Sequence, residues 1–269
     1  HVSWEGESHE PGRGATPSAK GRAMKILLSI LRFQPEKAAD PYSQEFEVEA
    51  EPQTRLLDLL VHIQRRVDPS LSFRRSCGHG VCGSDAMVVN GSERLACRTL
   101  VKDVAAKEGD RITIAPLRSL PVLRDLIVDQ RRFFENYRSV RPYLVEDEAN
   151  PPAAGRERLQ APAEREKIDE ATNCILCLAC YSACPVIREK NPRFLGPAAI
   201  VQAYRFQEDS RDRGFEQRLE ALDRPDGVWP CETRMECTRV CPRGIKVTKL
   251  INLTKRRITA FRAEGGKKS

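Results

Sequence analysis

No stretch of this 269-residue sequence approaches the roughly 20 apolar residues that span a bilayer. The longest strongly apolar run, LLDLLVHI (56–63), is far shorter. The chain is therefore expected not to cross a membrane, though it can sit on one. An apolar core of the kind a secretory signal needs is also missing near the start. Residues 1–23 are rich in Gly, Ser, Pro and charge, and Glu5, Glu7 and Glu10 argue against an organellar transit peptide. The first residue is His1, and MKILLSILRF (24–33) reads as a fresh start, so 1–23 is expected to be a disordered extension. Although 45 basic against 38 acidic residues give a net charge of +7, the basic residues are scattered. No helix-turn-helix or aromatic-basic element accompanies them, so nucleic acid is not expected as a partner. There is no evident general base, nucleophile or carboxylate clamp for a substrate. Histidine is scarce: His1, His9, His62 and His79 are the whole set.

Cysteine is not scarce. The ten cysteines fall into two groups, and their spacing argues against disulfides. Thiols three residues apart on one turn of chain cannot all reach outside partners in proper geometry. Dense C-x2-C-x2-C runs suit an inorganic core in a reducing compartment.

The stretches CILCLACYSACP (174–185) and CETRMECTRVCP (231–242) are nearly in register, and both end in Cys-Pro. The first has the bacterial ferredoxin spacing, whose fourth cysteine crosses to the other cluster. Cys174, Cys177, Cys180 and the remote Cys241 then hold a [4Fe–4S] cluster. Cys184, Cys231 and Cys237 hold the other, whose fourth position is Arg234. A guanidinium stays protonated and offers no lone pair to iron, so a [3Fe–4S] cluster is expected. If Arg234 faces the cluster, its charge favours the reduced state; if it points to solvent, that effect is screened. Zinc, which prefers two separated ligand pairs, fits this spacing poorly.

The earlier group is CGHGVCGSD (77–85) followed by Cys97. Cys77 and Cys82 fit the plant-type [2Fe–2S] spacing, but the third position is Asp85. Two roles are open to Asp85: ligand to ferric iron, or acceptor of hydrogen bonds beside another ligand. A Rieske centre needs a second histidine near a second cysteine, and none lies near Cys97. With Asp85 counted as a ligand, the three sets use all ten cysteines.

The segments around these groups differ. KILLSILRF, QEFEVEA and DRITIAPL (110–117) read as strands. Asn90-Gly91 in AMVVNGSERLAC (86–97) marks a hairpin. Thr54 is expected to cap a helix running to Val67, with Leu56, Leu60, Ile63 and Val67 on its buried face. Residues 121–138 read as a connecting helix, and 146–166 as an extended polar linker. Helices are expected over 196–210, 214–224 and 246–261. The division is a strand-rich unit (24–118), a connecting helix and linker (119–166), and a helical unit (167–269).

SFRRSCGHGVCGSDAMVVNGSERLAC (72–97), CILCLACYSACP, NPRFLGPAAIVQAYRFQEDSRD (191–212) and the 231–241 block together closely resemble the iron–sulfur subunit of the succinate dehydrogenase and fumarate reductase family. The resemblance extends over about 24–261. It implies an α+β chain: a β-grasp ferredoxin domain followed by an all-α, bacterial-ferredoxin-like two-cluster domain. It implies a flavoprotein partner with covalent FAD, a membrane anchor often carrying haem b, and quinone as the far electron carrier. It implies a peripheral place on the cytoplasmic face of the inner membrane, held by those partners. The expected role is electron transfer from flavin to quinone, with no substrate site on this chain alone. The same wire run backwards, in quinol:fumarate reductase, is the first alternative. Service to a different flavoprotein, such as a thiol-dependent fumarate reductase, is the second. Pro185 and Lys255 match positions near the quinone in the family, although a solvated lysine fits position 255 as well. CPVIREKNP (184–192) departs from the common form: it lacks a tryptophan, and its spacing to Asn191-Pro192 differs.

Overall fold

A computed structural model describes residues 22–37, 40–147 and 155–265. Most of the expected 1–23 extension, and part of the expected linker, lie outside the described residues.

The strand-rich unit is a five-stranded mixed sheet: β1 (Met24–Arg32), β2 (Tyr42–Ala50), β3 (Ala86–Val89), β4 (Ser92–Leu95) and β5 (Arg111–Ala115). The spatial order is β2-β1-β5-β3-β4, with β1 and β5 parallel and the other pairs antiparallel. Side chains alternate between faces along a strand, and the pairing Leu28↔Ile112 and Ile30↔Ile114 puts both pairs on the buried face. Along β2, Phe46, Val48 and Ala50 point inward while Glu45, Glu47 and Glu49 do not. Helix α1 (Leu56–Arg66) contributes Leu56, Leu59, Leu60 and Ile63 to the same core. The turn between β3 and β4 has Asn90 at φ 47° and Gly91 at φ 78°, as the Asn-Gly pair predicts.

Three sequence expectations are corrected. Thr54 does not cap α1: the cap position is Arg55, and the Thr54 carbonyl instead accepts the amide of Val101. Val67 lies past the helix end and is 58% exposed. Residues 121–138 are not one helix. They form a hairpin, β6 (Val122–Arg124) and β7 (Ile127–Val128), followed by α2 (Arg131–Ser139). Asp125 supplies the reason. Its fully buried carboxylate accepts from Arg32 Nε, Phe33 N and Ser72 N, and its backbone turns at φ 44°. Such side-chain bonding competes directly with helix formation. Finally, α3 (Pro162–Thr172) begins inside the expected linker. Pro162 occupies the first turn, and Glu164 Oε2 accepts the amide of Ala161 at 3.0 Å.

The helical unit repeats one plan twice. A cysteine loop leads into the short helix α4 (Ala179–Ser182), then Cys184-Pro185, then α5 (Pro197–Gln207), which is buried along nearly its whole length. After α6 (Phe215–Leu222), the second loop leads into α7 (Glu236–Arg239), Cys241-Pro242 and α8 (Val247–Ala263), which packs on α5. Leu117, Leu120, Val128, Phe133 and Val140 share this unit's core, so the segment after β5 is packed onto it. No helix among the described residues is long and apolar enough to cross a membrane.

Candidate metal centres

All ten cysteines are free thiols. Among the described residues, no three Cys, His, Asp or Glu side chains converge on a point fit for one metal ion. The seven thiols of the helical unit instead line two cavities, as multi-iron cores require.

Cys77, Cys82 and Asp85 of the first set lie on the loop between α1 and β3, and Cys97 lies on a short 3-10 turn directly after β4. Gly78, Gly80 and Gly83 all have positive φ, which coils the chain about Cys77 and Cys82. Amide donors from His79 and Val81, with the nearby Cys82 thiol, bring the Cys77 thiol down to about 6. This favours the thiolate that iron needs. Burial, followed by the Asp85 hydrogen bond and charge, pushes Cys97 up to about 12. Asp85 is itself buried. Its Oδ2 accepts the Cys97 amide at 2.6 Å, while Oδ1 is buried with no hydrogen-bond partner. An orphaned carboxylate oxygen costs desolvation energy unless something binds it. It fits a fourth ligand beside three thiols. From outside, Arg55 Nη1 braces the loop by donating to the Gly78 carbonyl at 2.8 Å.

The second set is Cys174, Cys177, Cys180 and Cys241. All four line one cavity, walled by Leu178, Ala198, Val201, Ile245 and Val247 among others. Burial raises Cys174 and Cys180 and pushes Cys177 up to about 12. Binding iron at Cys174, Cys177 and Cys180 would therefore release protons. At Cys174 the rise caused by burial is partly offset by the Leu176 amide and by the Gln202 side chain on α5.

The third set is Cys184, Cys231 and Cys237, around a cavity shared with Phe194, Thr248 and Ile251. Thr248 Oγ1 lies 3.3 Å from Cys237 Sγ. Burial first, partly offset by that hydroxyl, pushes Cys237 up to about 11.

The two loops have matching backbones. Leu176 and Leu178 have φ of 52° and 66°; Thr233 and Met235, at the equivalent places, have 59° and 65°. Arg234 therefore occupies the backbone position that Cys177 holds in the first loop. Its side chain does not follow the thiol's path. It is 58% exposed and pairs with Glu232 at 3.3 Å. Glu232 also pairs with Lys190 across the cavity mouth. Pro185 lines the third cavity and also an outer cleft with Arg188, Arg234 and Arg239. Lys255 Nζ donates to the Cys231 carbonyl at 2.8 Å, bracing the third loop from α8. Between Cys184-Pro185 and Asn191-Pro192 the chain makes a π turn over Val186–Lys190, closed by Asn191 N donating to Val186 O at 2.8 Å. A π turn accommodates one more residue than an α turn.

Sequence reasoning did not single out Gln202, Thr248 or Arg55. A polar residue in the otherwise apolar AAIVQAY (198–204) was the available signal for Gln202.

Residues 27–135 match the family described as the 2Fe-2S iron-sulfur cluster binding domain, and 170–245 the 4Fe-4S dicluster domain. The chain is 42% identical, over 84% of its length and 94% of the relative's, to the succinate dehydrogenase iron–sulfur subunit of Coxiella burnetii. It belongs to the succinate dehydrogenase/fumarate reductase iron–sulfur subunit family. The fumarate reductase iron–sulfur subunit of Mycobacterium tuberculosis is 40% identical over 82% of this chain and 87% of its own. Among solved structures, the Mycobacterium smegmatis Sdh1 complex in the apo form contains a chain with a TM-score of 0.76 and 27% identity, covering 89% of this chain and 97% of that one. The chain is thus an iron–sulfur electron-transfer subunit of an oxidoreductase, with 2Fe-2S and 4Fe-4S binding domains.

Proposed function

We propose that this chain is the electron-transfer subunit of a succinate:quinone oxidoreductase, linking a flavoprotein with covalent FAD to quinone at the membrane. When bound, the [2Fe–2S], [4Fe–4S] and [3Fe–4S] clusters supply one-electron relay chemistry, which no side chain here provides. Cys77, Cys82, Asp85 and Cys97 hold the first; Cys174, Cys177, Cys180 and Cys241 the second; Cys184, Cys231 and Cys237 the third. The observation that carries this reading is the partition of the helical unit's seven cysteines: each cavity is lined by one set and by no cysteine of the other.

The remaining work of the chain is exclusion and support. Leu178, Val201 and Val247 keep water from the second set, and Phe194 and Ile251 do so for the third. Dry surroundings strengthen every nearby charge and dipole. Thr248 hydrogen-bonds the Cys237 sulfur, and such bonds tune cluster potentials. Pro185 and Lys255 lie at the third set, where the quinone site is assigned. Arg234 is assigned a weak electrostatic role: it lines the third cavity, but its side chain is 58% exposed and pairs with Glu232. A membrane anchor, often carrying haem b, holds the assembly at the cytoplasmic face of the inner membrane.

The reverse direction, quinol:fumarate reduction, is the second reading. Relatives named for fumarate reductase, at 38% and 40% identity, favour keeping it. Purification of the native complex from membranes, with succinate:quinone activity assayed in both directions against several quinones, separates the two. Activity confined to fumarate reduction with low-potential quinols would overturn the first reading. Succinate oxidation by the cluster-loaded chain alone, without flavin, would overturn both.

A further inference from the structure

Three glycines in the first cysteine loop share one backbone conformation but face different surroundings. Gly78, Gly80 and Gly83 have φ of +70°, +83° and +69°. A Cβ on Gly78 would meet nothing within 4 Å. On Gly80 it would stand 2.7 Å from Arg98 Cγ, a flexible and exposed side chain. On Gly83 it would stand 2.6 Å from Cys177 Cβ, 2.8 Å from Cys177 Cα and 3.1 Å from the Ile175 carbonyl. Gly83 thus presses against the backbone of the second cysteine loop, at a residue assigned to the second centre.

The same seam is fastened elsewhere. The Ser182 hydroxyl, fully buried, accepts the Arg118 amide at 2.7 Å and donates to Glu93 Oε1 at 2.8 Å. Glu93 lies on β4 and Ser182 on α4, so this bond ties the sheet to the helix that carries Cys180. The strand-rich and helical units therefore meet through a glycine that permits contact and a buried hydroxyl that locks it.

We propose that Gly83 is a positioning residue that sets the separation of the first two centres. The proposal rests on the ligand assignment above. Neither Gly83 nor Ser182 touches a reacting atom. They act by letting one ligand loop lie directly on another, and electron exchange between centres falls steeply with separation. A methyl at Gly83 must push the loops apart by roughly an ångström to reach ordinary van der Waals contact. The obstructing atoms are backbone and Cβ, which no side-chain rotation moves, whereas rotation about χ1 moves Arg98 Cγ and Cδ.

The test uses the full chain in its native complex, loaded with clusters, and three variants: Gly78→Ala, Gly80→Ala and Gly83→Ala. All three carry the penalty of a non-glycine residue at positive φ. The readout is the microwave-power saturation of the reduced first centre, with the second centre oxidised and then reduced. Magnetic relaxation by a neighbour falls steeply with distance and does not depend on turnover. The expected result is a loss of relaxation enhancement in Gly83→Ala, with Gly78→Ala and Gly80→Ala like the parent. Enhancement unchanged in Gly83→Ala, or lost equally in all three, overturns the proposal. If Gly83→Ala takes up no iron, Ser182→Ala decides. Weakened enhancement with full iron and sulfide content supports the role of the seam; unchanged enhancement overturns it. The underlying assignment has its own check. Cys177→Ala retaining parental iron content and second-centre signal would refute the ligand set.

Discussion

The amide of Cys97 donates to Oδ2 of Asp85 at 2.6 Å, and the other oxygen of that carboxylate is buried without a partner. One half of the side chain is thus engaged in structure and the other half is free for iron. Asp85→Cys is expected to keep a binuclear cluster but shift its potential and EPR spectrum, because thiolate is softer than carboxylate. An unchanged spectrum and potential would mean that Asp85 only accepts hydrogen bonds.

Arg234→Cys restores a fourth thiolate on a backbone already shaped like that of Cys177. A [4Fe–4S] cluster is expected in the third set, read as loss of the oxidised [3Fe–4S] EPR signal and a gain in iron. A parent protein that itself lacks that signal, with iron for two cubanes, would refute the trinuclear assignment.

Arg234→Leu is a separate measurement. A cation about 5 Å from the cluster at an effective dielectric of 20 would contribute roughly 3 kcal/mol. The 58% exposure of the side chain and its pairing with Glu232 reduce this strongly. The expected downward shift in potential is a small fraction of that figure. A shift near the full value by redox titration would place the guanidinium at the cluster after all.

Arg32 is buried in the strand-rich unit, bonded to Asp125 at 2.9 Å and Asp68 at 2.7 Å, and also to Gln44. Arg32→Leu strands the Asp125 carboxylate and is expected to cost about 3–5 kcal/mol. Denaturant unfolding checks this, and a loss below about 1 kcal/mol would contradict it.

The same network gives an acid dependence. Burial opposes ionisation of Asp68, but hydrogen bonds from Ser70 and Arg32 outweigh it and hold the carboxyl well below its ordinary value. A carboxyl depressed on folding contributes stability above its unfolded pKa of about 3.9 and loses it as pH falls further. Asp68→Asn should flatten the stability–pH curve below about pH 4. A curve as steep as that of the parent would exclude Asp68 as a source.

The local spacing of Pro, Asn-Gly and alternating apolar residues is enough to expect the hairpin, the strands and the long helices, because each depends on neighbours within a few positions; the cysteine sets, which join remote residues such as Cys241 and Cys174, are expected only from the ferredoxin spacing. Asp125 shows where that ends. Its surrounding residues suit a helix, but its carboxylate is claimed by Arg32, 93 positions away, and a turn forms instead. Thr54 does not cap the helix for a similar reason: Arg55 is held extended as a bridge partner of Leu100, so the helix begins one residue later. Arg234 is legible in the sequence as the missing ligand, but only the folded chain decides that its side chain is more than half exposed and paired with Glu232. Nothing in the string CGHGVCGSD distinguishes Gly83 from Gly78. That difference arises from the docking of a second loop about ninety residues later, where Cys177 lies against Gly83 and open space lies against Gly78. Sequence fixes which atoms can bind metal, since ligand chemistry belongs to the residue; tertiary packing decides how close those atoms stand, since separation depends on every contact between the two units.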